Sequence, residues 1–155
     1  DLDKVQNFGR VVLSPGPGLP KDAGKLMGFL KHYATDIPIL GVCLGQQAIA
    51  EHFGMKLKNL SEVVHGQSRK INVLEANSGL FKNLPSEMMV GRYHSWVIEP
   101  ETISEHFQVT STDEDGNIMS IQHKNLPIYA VQFHPESVLT PQGKEIVKNW
   151  LDAKA

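Results

Sequence analysis

Ile37-Pro-Ile-Leu-Gly-Val-Cys-Leu-Gly-Gln-Gln47 sets an uninterrupted apolar run against a segment of helical character, with Cys43 at the join. Continuous apolar runs of this length suit a parallel strand buried on both faces. Gly41 and Gly45 lie two residues to either side of the cysteine, and glycine is wanted where backbones crowd or φ turns positive. The spacing predicts a strand over 37–42, a sharp turn at Cys43 and a helix over 46–53 that stops at Gly54. Upstream, Val11-Val12-Leu13 is a second such run, ending in Ser14-Pro-Gly-Pro-Gly18. Between them, Leu26, Met27, Leu30 and Tyr33 form a helical stripe. Strand, helix, strand, helix in this order predicts an α/β fold.

Beyond Gly54 the pattern changes. Val63-Val64, residues 70–74 and residues 88–93 read as short strands. Residues 107–111 and 118–122 flank Asp113-Glu-Asp-Gly-Asn117, a hairpin signal. A further strand over 128–133 leads into His134-Pro-Glu136, and Thr140-Pro141 reads as an N-cap followed by proline at the first helical position. Ile146, Val147, Trp150 and Leu151 then give the closing helix its apolar face. No repeat or linker divides the 155 residues, so a single domain over 1–155 is expected. The opening Asp1-Leu-Asp-Lys-Val5 is polar and helix-like, so a parallel sheet here is expected to begin without the strand that usually starts one.

Composition excludes more than it identifies. A net charge of −2 with dispersed Lys and Arg gives no nucleic-acid footprint. The apolar runs are too short to cross a bilayer. One cysteine makes no internal disulfide, which is compatible with a reducing cytoplasm.

The turn at Cys43 is the one that, with serine, exposes the nucleophile of the α/β-hydrolases. The first amides of the following helix point at the reactive atom, and with the helix dipole they are expected to favour a thiolate. A cysteine nucleophile needs a base and a group that orients the base. In an extended segment residues two apart share a face, so Glu136 is expected to hold His134 through one ring nitrogen and leave the other for Cys43. For the oxyanion of a tetrahedral intermediate, the Leu44 amide is one expected donor. The other comes from the loop after Leu13, where Pro15 and Pro17 have no N–H; of Gly16 and Gly18, Gly16 is preferred. Of the remaining histidines, His32, His52, His106 and His123 are expected on the surface or on a helix face, His65 in a polar turn, and His94 in a turn after a strand that can line a cleft. Asp113, Glu114 and Asp115 read as a solvated hairpin tip. No spacing fits a metal site, and no cofactor is expected.

Leu13-Ser-Pro-Gly-Pro-Gly18, Gly41-Val-Cys-Leu-Gly-Gln-Gln47, Val64-His-Gly66, Gly91-Arg-Tyr-His-Ser95 and Val131-Gln-Phe-His-Pro-Glu-Ser137 together resemble the class I, triad-type glutamine amidotransferases. The closest match is to the glutaminase subunits of anthranilate synthase and aminodeoxychorismate synthase. The resemblance implies a flavodoxin-like, mostly parallel sheet flanked by helices, with a small antiparallel sheet. It implies Cys43 as nucleophile, His134 as acid–base and Glu136 as orienter, and a glutamine pocket using Gly16, Pro17, Gly18, the Gln47 side chain and the backbone of Ser95 and Trp96. Three departures stand out. The family's usual first strand and helix, with an Asp-Asn-Tyr-Asp-Ser-Phe-like stretch, are missing, so a truncated chain is expected. Gln67 replaces the usual Lys, and Trp96 stands where Leu is common.

The reaction so implied is hydrolysis of L-glutamine to glutamate and ammonia, for a chorismate-binding synthase partner. Its rivals are a cysteine hydrolase acting on γ-glutamyl compounds and a catalytically silent docking protein.

Overall fold

In a computed structural model, described for residues 2–76 and 79–154, β2 (Ile39–Val42) is buried at all four residues. It pairs in parallel with β1 (Val11–Leu13) on one side and with β7 (Ile128–Val131) on the other. This is the placement that an apolar run without alternation requires. The sheet continues from β7 through β6 (Ile118–His123), β5 (Phe107–Asp113) and β3 (Leu57–Val73) to β4 (Glu87–Ile98), all of these pairings antiparallel. The parallel and antiparallel parts therefore share one seven-stranded sheet in the order β1-β2-β7-β6-β5-β3-β4. For β5–β6 and β6–β7 the cause is connection length: residues 114–117 and 124–127 are too few for a crossover, and short connections force antiparallel neighbours.

Helices cover both faces. α1 (Leu26–Tyr33) and α2 (Leu44–His52) enclose a core with Leu30, Ile39, Ile49 and Ile128. α3 (Gly143–Asp152) closes the other, where Leu40, Val42, Val131, Phe133, Ile146 and Trp150 meet. Ile39 and Leu40 enter opposite cores, as the two-residue period of a strand dictates. Residues 2–7 of the helix-like opening form a 3₁₀ helix whose Leu2 carbonyl accepts the Tyr33 hydroxyl at 2.9 Å; Asp1 lies outside the described residues. No helix among the described residues is long and apolar enough to cross a membrane.

Three local expectations are corrected. The strands expected at 63–64 and 70–74 belong to one 17-residue strand, β3. Its register against β4 jumps between Asn59 and Val64 and again between His65 and Gln67. The first jump leaves residues 60–63 looped out, which breaks the alternation that would have shown one strand. Arg92-Tyr-His-Ser-Trp96 lies inside β4, not in a turn after it. Finally, α3 begins at Gly143 with Gln142 as its cap residue. The Thr140 hydroxyl is instead donated to the His134 carbonyl at 2.6 Å and accepts the Gly91 N–H at 2.9 Å.

α2 starts at Leu44, directly after Cys43, because Gly41 and Gly45 let strand and helix backbones touch. A Cβ on Gly41 would sit 2.7 Å from the Gly45 carbonyl carbon, and one on Gly45 would overlap the Leu13 carbonyl oxygen. Alanine is favoured over glycine inside a helix by about 1 kcal/mol, yet an overlap with fixed backbone costs about 1–3 kcal/mol or more. The clash wins. Gly45→Ala is expected to lower stability by about 2 kcal/mol in urea unfolding, while Gly9→Ala, with nothing within 4 Å, serves as the unaffected control.

Candidate active site

Cys43 follows β2 directly, with φ 54° and ψ −103°, a conformation side-chain-bearing residues rarely adopt. Such strain costs about 1–3 kcal/mol and persists only where surroundings enforce it. Here the Cys43 N–H is donated to the Val131 carbonyl at 2.8 Å and the Cys43 carbonyl accepts the Gln47 N–H at 3.2 Å. The cysteine is 5% exposed. Its thiol donates weakly to the Tyr93 carbonyl at 3.9 Å, and Gln132 Nε2 donates to the sulfur at 3.6 Å. Burial pushes the thiol up to about 11, against the opposing pull of the Leu44 amide and of Gln132, and the Glu136 charge adds to the rise. The expected thiolate is therefore corrected. The Leu44 amide pulls the thiol down, but desolvation outweighs it.

His134 Nδ1 donates to Glu136 Oε1 at 2.6 Å. The two meet across a turn closed by Ser137 N–H to the His134 carbonyl, not along an extended strand. The His134 N–H is also tied to the Gly91 carbonyl at 3.0 Å, and the ring packs on Tyr93 with centroids 4.7 Å apart. Nε2 is buried and has no hydrogen-bond partner among the described residues. Cys43 and His134 thus meet at Tyr93, one at its carbonyl and the other at its ring, and no hydrogen bond joins sulfur to imidazole among the described residues. An orphaned buried ring nitrogen is costly in a resting protein and suits a proton acceptor.

Cys43 opens into a cavity of about 270 Å³ lined by Gly16, Pro17, Gly18, Gln47, Ser95 and Trp96, every residue expected at a glutamine pocket. Val63, Val64, His65, Tyr93 and His94 complete the wall. Leu44 lies beside Gly16, whose hypothetical Cβ would stand 3.0 Å from Leu44 Cδ2. Val63 arrives through the looped-out stretch of β3, which no sequence pattern announced. Gln132 carries no role in the sequence reading, and only its 3.6 Å approach to sulfur reveals one. Gln67 binds Arg69 at 2.7 and 2.9 Å, outside this lining.

Two surface expectations fail here. Asp113 is 5% exposed and paired with Arg92 Nη1 at 2.9 Å, so it is no solvated tip. His123 is 7% exposed, and its Nδ1 accepts the N–H groups of Asn125 and Leu126. Asp113 is buried by its pairing with β3 and its bond to Arg92 of β4, and His123 by its pairing with Phe107 of β5. No three metal-ligating side chains converge among the described residues.

Comparison with known proteins places the chain in a family. Residues 1–153 match the family model described as glutamine amidotransferase class-I. The chain is 42% identical over 151 residues to aminodeoxychorismate synthase component 2 of Escherichia coli K12, covering 97% of this chain and 79% of that one. It is 40% identical over 154 residues to anthranilate synthase component 2 of Cyanophora paradoxa, covering 97% and 80%. Among solved structures it resembles a Thermoplasma acidophilum protein provisionally described as part of a GMP synthase, with TM-score 0.87, 31% identity, and coverage of 97% and 75%. A strained cysteine at a strand–helix junction opens into the cavity, and a buried imidazole held by a carboxylate packs on Tyr93 beside it. The chain belongs to the class I glutamine amidotransferase family.

Two pH effects are expected. Alkylation of Cys43 by iodoacetamide should accelerate continuously from about pH 7 to 10 with no plateau, as a thiol near 11 requires. A plateau by about pH 8 would contradict this. His94 is pushed down to about 4, first by burial and then by the Arg92 charge. Its folded value lies below the unfolded one, so its contribution is complete above about pH 6.5 and fades as pH falls toward 4. Up to roughly 3 kcal/mol should be lost in that window, and His94→Gln should flatten that slope in unfolding measured against pH.

Proposed function

We propose that this chain hydrolyses L-glutamine to glutamate and ammonia through a thioester on Cys43, and that the ammonia serves a chorismate-aminating synthase partner of the anthranilate synthase type. The observation that carries the reading is the cavity itself: Cys43 and all the expected pocket residues line one space. Because the thiol is neutral at rest, attack on the side-chain amide carbon passes the Sγ proton to His134 Nε2. The Leu44 and Gly16 amides hold the oxyanion. Collapse of the intermediate expels ammonia with the proton from His134. His134 then takes a proton from water, the hydroxide adds to the thioester carbonyl, and the thiol leaves as glutamate forms. Glu136 keeps the imidazole in the tautomer with Nδ1 protonated. The scheme needs no metal or cofactor in this chain. It goes with a cytoplasmic setting, since a nucleophilic thiol has to stay reduced.

The competing pathway is aminodeoxychorismate synthesis, because relatives of nearly equal identity carry either name. Reconstitution with each synthase partner separates them, by whether anthranilate or aminodeoxychorismate accumulates. Glutamate release from L-glutamine by the reconstituted pair should fall at least ~10³-fold in Cys43→Ala and ~10²–10⁴-fold in Glu136→Gln. Hydrolysis undiminished in Cys43→Ala would remove the thioester from the scheme.

A further inference from the structure

An unbroken series of buried and half-buried hydrogen bonds runs from the β5–β6 hairpin to the Cys43 sulfur, and chemistry fixes its direction. Asp113 is the anchor. Its Oδ1 accepts the N–H groups of Asp115 and Asn117 at 3.0 and 2.8 Å, and its Oδ2 accepts Arg92 Nη1 at 2.9 Å. Arg92 also places Nε 3.0 Å from His94 Nε2. A guanidinium only donates, so His94 Nε2 is the bare nitrogen and its proton sits on Nδ1. That N–H is donated to the Trp96 carbonyl at 3.2 Å. The same carbonyl lies 3.0 Å from the Gln47 side-chain amide. A carbonyl only accepts, so Gln47 must turn Nε2 toward it. The second Nε2 proton faces Gln132 Oε1 at 3.4 Å, which leaves Gln132 Nε2 for the sulfur at 3.6 Å. Arg92, His94, Gln47, Gln132 and Asp113 are each no more than 5% exposed.

We propose that this relay sets the polarity of the active site: it obliges Gln132 to present an N–H, not a carbonyl oxygen, to the Cys43 sulfur, and it turns Gln47 Oε1 toward the cavity. Neither amide has an intrinsic preference, since its two ends are nearly the same size. Reversing Gln132 alone would set its N–H groups against those of Gln47. Reversing Gln47 as well would set Gln47 Oε1 against the Trp96 carbonyl. The orientation is held collectively. An N–H already aimed at sulfur strengthens as the thiol loses its proton, which offsets part of the burial that keeps the resting thiol neutral. Gln132 touches the reacting atom; His94, Arg92 and Asp113 are positioning residues that act through it and through Gln47. The inference rests on the reading of Cys43 as the nucleophile of a glutamine hydrolase.

Two reagents divide the question. Iodoacetamide reports the sulfur alone, whereas the glutamine analogue 6-diazo-5-oxo-L-norleucine reports sulfur and pocket together. In Gln132→Met, which keeps length without a donor, Cys43 alkylation at about pH 8 is expected roughly three- to tenfold slower, because a one-unit rise in thiol pKa is partly offset by a more nucleophilic thiolate. In His94→Leu, the analogue concentration for half-maximal inactivation is expected to rise about tenfold, with alkylation also slowed. His94→Asn, which keeps a donor within reach of Trp96, should recover most of both losses. Parent-like alkylation in folded Gln132→Met, checked by near-UV circular dichroism, overturns the relay. If Gln132→Met does not fold, the His94 pair decides, and equal behaviour of Leu and Asn overturns it. Failure of the analogue to label the parent chain at Cys43 counts against the glutaminase reading instead, while the alkylation profiles still decide the fate of the relay.

Discussion

The close approach of α2 to β1 and β2 is the constraint on which the remaining site geometry depends. Gly45 lies against the Leu13 backbone, and Gly41 lies against Gly45. With that contact made, the chain has to reverse within one residue, and Cys43 takes the positive φ. The Val131 carbonyl then locks the Cys43 N–H, so the neighbouring parallel strand holds the strained residue at its end. Stability and chemistry meet at two missing side chains.

The same arrangement explains why the site is both buried and polar. A thiol beneath a strand–helix junction is poorly solvated, and that keeps it protonated. Around it the protein supplies directed polar groups instead of water: the Leu44 amide and Gln132 as donors, and an imidazole whose inner nitrogen, an acceptor, has no partner among the described residues. Donors fixed before reaction need no reorganisation when charge develops. The Asp113–Arg92–His94 series reaches Gln47 and Gln132 from a hairpin remote in sequence, while Gln46 and His134 Nε2 keep buried polar atoms without a partner among the described residues. A buried ion pair is weak evidence for stability, so its use here lies in orientation.

The α/β character was legible in the continuous apolar run at 37–42, because a strand covered on both faces carries no alternation to confuse; the run at 11–13 forms an edge strand instead, with Val12 50% exposed. The cysteine turn was legible too, since only glycine permits two backbones to touch. His134 and Glu136 were paired correctly although the supporting geometry is a turn, because two residues either side of a proline have few ways to be far apart. The long β3–β4 hairpin was not legible. Its bulges shift the alternating face, and its partners are chosen by register, which local sequence does not encode.

By itself, then, the sequence determined which residues are chemically able to react and where the backbone has to bend, since both follow from side-chain type and local sterics. Only the tertiary structure decided the ionisation and orientation of those groups. The protonated thiol comes from burial among several elements, and the direction of the Gln132 amide comes from a hydrogen-bond series that passes through β5, β4 and α2. Solvent exclusion and hydrogen-bond polarity are properties of neighbours, and neighbours exist only once the sheet has formed.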